Sequence, residues 1–402
     1  MRPKERKPVF PLCFQQYYKF KPRAPENDFP KNVKFKMDRM DKPKNMKILA
    51  LPLYGIGDVL MTTPALRNIK EKLPSASLTY LHMFKTTRDV LIKNPNVDEN
   101  IYFPFLEAGR LAGARFILGL RGRYDIAINF YPSNRRDYNL ASFLSGCPVR
   151  IGHTYVKRNI KELNFLKNRT FMEDDNLHNV EENLRLLGFL GIKDPCPYPM
   201  EIFLTEEEEK EAALWLREKG ISEDEKALIV GFHPGTSAFK EHVNKRWPAQ
   251  RFSVLIDMIA AISPASRFLI FGGTEEAGIK EDIKRGCSRG ASRVRAVDTR
   301  GIRQTAALMK RCGLFISNDS GLMHLSAALK VPTVGIFGPT NPGWVSPWGE
   351  RTKVVQNPGA GCEPCFRYSP EPLQCRKKYD FRCLQGISAE EVLEAARSLV
   401  PF

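Results

Sequence analysis

The sequence predicts an α/β protein built from two doubly wound units, and three observations carry that prediction. Near-continuous apolar runs at 47–53 (KILALPL), 227–232 (ALIVGF) and 267–271 (RFLIF) have the character of parallel strands buried on both faces. Each is followed by a polar or glycine-rich loop and then by apolar residues at helical spacing, the alternation that winds a parallel sheet. The 402 residues also exceed one ordinary core and suit two.

Taken in order, residues 1–45 mix Pro, Lys and aromatics such as Phe10, Phe14, Tyr17 and Tyr18 without a sustained period. They are expected to form a basic, mobile or loosely docked extension. The first unit, 46–200, opens with strand 47–53, the loop Tyr54-Gly55-Ile56-Gly57-Asp58 and a helix from Val59 to Leu73 with Pro64 in its first turns. Strand 78–82, helix 86–93, a helix-compatible stretch 106–120 and strand 125–130 follow. From Ser145 to Pro199 the pattern weakens to a strand at 149–152 and a helix near 179–190. A Pro-rich run (Pro195, Pro197, Pro199) and a charged helix over Thr205–Lys219, headed by the capping-box pair Thr205 and Glu208, mark a linker at 201–225.

The second unit, 226–402, repeats the scheme. Strand 227–232 leads into His233-Pro234-Gly235-Thr236-Ser237, Pro248 opens a helix, and strand 267–271 ends in Gly272-Gly273-Thr274-Glu275-Glu276. Strand 294–297 precedes the most informative stretch, 312–342. There Leu314–Ile316 reads as strand, Ser317–Gly321 as turn and cap, Leu322–Leu329 as helix and Thr333–Phe337 as buried strand. An amphipathic helix over Ser388–Val400 closes the chain.

Composition is that of a globular protein, with no apolar run long enough to span a bilayer and no signal peptide, so a cytoplasmic location is expected. Nine scattered cysteines fit a reducing compartment better than a disulfide framework. Of the net charge of +17, residues 1–47 contribute +9, from fourteen Lys/Arg against five Asp/Glu. No RNA-binding aromatic signature, helix-turn-helix or zinc finger accompanies this charge, which argues against nucleic acid and leaves an anionic membrane surface, an acidic substrate or solubility alone.

The chemistry-bearing residues lie in loops that follow strands, where an open parallel sheet holds its ligands. Gly55-x-Gly57-Asp58 is not a dinucleotide fingerprint: Leu60 stands where the third glycine belongs, and the second strand ends in Tyr80-Leu81-His82 without an acidic residue for a ribose. Gly55 and Gly57 still permit close backbone approach. Asp58, at a helix N-terminus whose dipole favours the ionised form, can accept a proton or merely cap the helix. Thr236 and Ser237 offer hydroxyls and amides, and Lys245 a cation, a set that suits a diphosphate without a metal. No Gly-Lys-Ser/Thr follows, which excludes a Walker loop. Asp319 and Ser320 read as caps or as part of an anion site, and His324, four residues after Ser320, shares its helix face.

GDVLMTTPALR (57–67), HPGTS…KRWP (233–248) and SNDSGLMHLSAALKVPTVGIFGPTNP (317–342) resemble glycosyltransferase family 9, the ADP-heptose:lipopolysaccharide heptosyltransferases, from Met46 to the C-terminus. The resemblance implies a GT-B fold, two Rossmann-like domains facing across a cleft, with the acceptor on the first and the nucleotide sugar on the second. It implies inversion at the anomeric carbon with no metal and no cofactor beyond the ADP-sugar substrate. Asp58 would be the general base, Thr236, Ser237 and Lys245 would hold the donor phosphates, and Asp319, Ser320, Gly321 and His324 would complete the donor site. Glu275 or Glu276 would meet the ribose. The expected partners are the nucleotide-sugar donor, an anionic lipopolysaccharide-type acceptor and, peripherally, the inner membrane; a monomer is expected. Cys362, Cys365, Cys375 and Cys383, in the segment 362–383, have the composition of a metal site but a loose second spacing, and are expected to be free thiols rather than metal ligands.

Overall fold

A computed structural model describes residues 45–51, 55–221, 227–236, 239–362, 364–366, 373–375 and 377–402. The expected N-terminal extension up to residue 44, and Ser237, lie outside the described residues.

The N-terminal lobe holds strands β1 (Lys47–Ala50), β2 (Ser77–His82), β3 (Glu99–Tyr102), β4 (Ile126–Ile128), β5 (Val149–Thr154) and β6 (Arg169–Met172). Its helices are α1 (Ile56–Lys72), α2 (Lys85–Leu91), α3 (Phe105–Leu118), α4 (Arg136–Leu144) and α5 (Asn179–Arg185). Helix α6 (Glu206–Glu218) leads to the C-terminal lobe, and its Thr205–Glu208 capping box forms as the sequence predicts. That lobe has β7 (Ile229–His233), β8 (Arg267–Phe271), β9 (Val294–Val297), β10 (Leu314–Asn318), β11 (Thr333–Phe337) and β12 (Thr352–Gln356). Its helices are α7 (Ala249–Ile262), α8 (Ala277–Gly286), α9 (Ile302–Lys310), α10 (Gly321–Ala328), α11 (Pro342–Val345), α12 (Arg382–Gln385) and α13 (Ala389–Arg397).

Both sheets are fully parallel and share one topology. The orders are β3-β2-β1-β4-β5-β6 and β9-β8-β7-β10-β11-β12, so in each lobe the winding reverses between the first and fourth strands. Alternation along each strand sends side chains to opposite faces. Ile48 and Ala50 join an apolar cluster that continues across the lobes through Phe315, Met323 and Leu325, whereas Leu49 and Leu51 face a separate core under α3 and α4. Arg303 of α9 also ties the lobes: it donates to the carbonyls of Asp89 (3.0 Å) and Ile92 (3.2 Å) and pairs with Glu208.

The stretch 145–199, opaque in sequence, is organised by buried polar contacts instead of an apolar period. Glu182 is buried against His153 (3.2 Å) and accepts from Arg185 (2.6 Å). The buried Lys167 amine donates to Asn139 (2.9 Å) and Asn164 (2.5 Å), and burial pulls its pKa down to about 7.

Candidate active site

The two reversal points of the sheets face each other, and the polar loops gather there. On the N-terminal side Gly55 is the N-cap of α1 and, having no side chain, caps none of the first amides of the helix. Asp58 is therefore not the cap; it sits within the first turn. Its half-buried carboxyl is pushed up to about 6, first by burial, with Asp319 adding to the rise. The Gly55 amide, Lys245 and Arg135 oppose that rise. Burial thus outweighs the helix-terminus field that the sequence argument relied on, and the result is a more basic carboxylate.

On the C-terminal side Lys245 is buried, donates to Oδ2 of Asp319 at 2.8 Å and lies 4.4 Å from the centre of the Phe366 ring. Burial works against ionisation of Asp319, but Lys245 prevails and holds the carboxyl below its ordinary range. Asn318, buried at the end of β10, positions both flanking loops: it donates to the Pro234 carbonyl (2.7 Å) and accepts from the Trp247 amide (3.1 Å). Ser320 occupies the N-cap of α10 without capping it, because its hydroxyl lies 2.9 Å from Nδ1 of His233. A second helix N-terminus is thereby left open to the cleft.

The two termini touch. A β-carbon on Gly321 would lie 3.4 Å from Cβ of Ile56 and 3.6 Å from the Gly57 amide nitrogen. The close approach expected at Gly57 is made to His324 of the opposite lobe, whereas at Gly55, among the described residues, only the Asp58 carboxylate comes near. His324 is buried and its Nδ1 has no hydrogen-bond partner among the described residues; burial lowers its pKa to about 4, so the ring is neutral.

Of the two glutamates in the 272–276 loop, Glu275 is exposed and Glu276 turns inward. Glu276 accepts from the Gly273 amide (2.7 Å) and lies 3.5 Å from Nε2 of His233. Burial works to raise its pKa, yet His233 and these contacts hold it low. Gly235 makes room for it, since a β-carbon there would lie 1.6 Å from Oε1. Glu276 lines a cavity of about 230 Å³ with Thr86, Gly272, Val297, Thr299 and Leu322.

Thr236 is tied into its own loop. Its hydroxyl donates to the His242 carbonyl (2.7 Å) and receives Nε of Arg246 (3.3 Å), so its proton is used inside the loop. Three contributors were missed in sequence: His233, which links Ser320 to Glu276; Arg246, beside Lys245; and Arg135, in the field of Asp58. The HP and KR dipeptides at strand and loop ends were the available signals.

Away from the cleft, Cys362, Cys375 and Cys383 are half-buried free thiols. Cys383 is pushed up to about 11 by burial and by the negative field of Cys362, Cys365 and Cys375. Among the described residues no three His, Cys, Asp or Glu side chains are grouped to hold a metal ion.

With this geometry in place, the comparisons with known proteins are specific. Residues 114–375 match the model of glycosyltransferase family 9 (heptosyltransferase). The chain is 24% identical to lipooligosaccharide heptosyltransferase 2 of Haemophilus ducreyi, over 77% of this chain and 88% of that protein. It is 26% identical to lipopolysaccharide heptosyltransferase 3 of Escherichia coli, over 86% and 95%. Among solved structures, a family 9 glycosyltransferase from Veillonella parvula superposes with a TM-score of 0.70 at 23% identity, covering 88% of this chain and 97% of that one. An E. coli heptosyltransferase solved with ADP superposes at 0.65 and 18% identity, covering 88% and 100%. The fold is GT-B, and the chain belongs to glycosyltransferase family 9.

Proposed function

We propose that the enzyme transfers heptose from ADP-heptose to a lipopolysaccharide core acceptor, with inversion and without a resident metal. The observation that carries this reading is the opposition of Asp58, on one lobe, to the Lys245–Asp319 pair and the open α10 terminus on the other. The N-terminal lobe, 46–200, would hold the acceptor and the C-terminal lobe, 226–402, the donor, with 201–225 between them.

Lys245, held by Asp319, and the α10 amides meet the diphosphate, where negative charge grows as ADP departs. Ser320, Gly321 and His324 line the same terminus, Thr236 shapes the adjoining loop, and Glu276 accepts from the ribose hydroxyls. Asp58 takes the proton of the acceptor hydroxyl as its oxygen attacks the anomeric carbon from the face opposite the departing diphosphate. One bond forms, one breaks, and the proton resides on Asp58. A base and a leaving-group site on opposite walls suit inversion.

Among the described residues no helix is long and apolar enough to cross a membrane. We place the enzyme as a monomer at the cytoplasmic face of the inner membrane, in peripheral contact with it.

The test is transfer from ADP-heptose to a heptose-free core acceptor after chelator treatment, with the product's anomeric configuration read by NMR. Asp58→Asn should abolish transfer and spare ADP binding by calorimetry. Retention of configuration, loss of activity on chelation, or preference for UDP or GDP over ADP would each refute its part of the reading.

A further inference from the structure

The five most exposed large apolar side chains among the described residues all fall between 106 and 165: Leu111 (90%), Ile160 (80%), Val156 (73%), Leu106 (72%) and Phe165 (63%). Isolated apolar side chains on a surface need no explanation, but a cluster does. These five lie on α3 and on the segment 156–165, each joined to α4. Helix α3 packs on α4, and α4 on the short turn 164–166. Together they cover the face of the sheet turned away from the shared interlobe core.

Charge runs through the same strip. Residues 105–165 hold ten Lys/Arg against four Asp/Glu, and Arg110, Arg115, Lys157, Arg158 and Lys161 are exposed. Beside α3 an open cavity of about 470 Å³ is floored by Phe103 and Phe116, stacked at 4.2 Å, with Arg115 and Arg123 also lining it.

We propose that this α3–α4 face docks on an anionic lipid bilayer, its apolar side chains entering the headgroup region while the flanking Arg and Lys meet lipid phosphates. Charge complementarity selects the occupant. A second copy of the chain would set the same positive excess against itself, whereas an anionic leaflet neutralises it.

The position of the face gives docking a purpose, and here the inference rests on the proposed lipid-anchored acceptor. The loop 155–163 is built onto the segment beside the cleft. Asn134 donates to the Lys157 carbonyl (3.2 Å), Glu162 accepts from the Arg136 amide (2.9 Å), and Asn139 donates to the Glu162 carbonyl (2.7 Å). Arg135, in the middle of that segment, acts on Asp58 through space. The bilayer-facing strip therefore borders the acceptor side of the cleft, and a membrane-borne glycan reaches Asp58 without leaving its leaflet.

The test is flotation of the full chain with phosphatidylcholine vesicles, with and without phosphatidylglycerol. The double variant Leu111→Asp/Ile160→Asp and the charge variant Arg110→Glu/Lys161→Glu are run alongside. Wild type should float only with the anionic vesicles, and each variant should lose at least about tenfold in partitioning, as expected when anchoring side chains or their electrostatic attraction are removed. Both variants should keep wild-type transfer to a detergent-free, deacylated acceptor, which separates failed docking from failed catalysis. Equal flotation of variants and wild type, no flotation of wild type, or a change of oligomeric state on Leu111→Asp/Ile160→Asp would overturn the proposal. Absence of transfer by wild type would overturn the functional reading and leave the vesicle result to stand alone.

Discussion

Gly57 and His324 belong to different lobes, yet a β-carbon on Gly57 would lie only 2.6 Å from Cδ2 of the His324 ring. The glycine is what lets two helix N-termini meet without a side chain between them.

Gly57→Ala should therefore wedge the lobes apart at the point where acceptor and donor must align. A misplacement of about 1 Å is enough to cost about 10²-fold in turnover. We expect kcat to fall by that order with ADP affinity changed less. In a His324→Ala background the same substitution should cost clearly less, a non-additivity read from a double-mutant cycle.

Asp58 should set the acidic limb of the pH profile. With its carboxyl pushed up to about 6, chiefly by burial, kcat/KM should fall as pH drops through that value and the base becomes protonated. The stability consequence has the opposite sign. A carboxyl raised from 3.8 to about 6 by folding binds its proton more tightly in the native state. Stability is therefore lost as pH rises through that window and stays reduced above it. Asp58→Asn should raise Tm at neutral pH, by ~1–3 kcal/mol in unfolding free energy, while removing transfer. A variant that loses both activity and stability would point to a structural part for Asp58.

Lys245→Met leaves the half-buried Asp319 carboxylate without its partner and should destabilise the C-terminal lobe by about 3 kcal/mol, as buried pairs do when one member is removed. Adding Asp319→Asn should return most of that stability. ADP binding, measured by calorimetry, should remain weak in both variants, because the cation facing the diphosphate is absent from each.

Glu276 and Glu275 should separate cleanly. Glu276→Gln is expected to weaken ADP binding about tenfold, the scale of one charge-assisted hydrogen bond, and Glu275→Gln to leave it unchanged. Gly235→Ala should mimic the first variant, since a β-carbon at 235 occupies the place of the Glu276 carboxylate.

Central strands were readable because strands buried on both faces need unbroken apolar runs: β1, β7, β8, β10 and β11 all lie inside or close to their expected bounds. The strands that escaped notice, β3, β6 and β12, are sheet edges, and ENIY, RTFM and TKVVQ show why. An edge meets solvent, so its sequence carries polar residues and no periodic signal. Helix α4 and the region after β5 were hidden for a related reason: Asn139, Asn164, Lys167 and Glu182 are buried as hydrogen-bonded polar groups, and polarity in a sequence reads as exposure.

By itself the sequence determined the two α/β units, the loops that bear the chemistry and the residue types in them, because local periodicity and turn chemistry depend on near neighbours. Only the tertiary structure decided which of those residues work together. It paired Lys245 with Asp319, turned Glu276 inward and Glu275 out, committed the Thr236 hydroxyl to its own loop, and raised Asp58 instead of lowering it. The reason is physical: burial and through-space charge arise from groups far apart along the chain, and they outweigh the local helix-end field that a sequence displays.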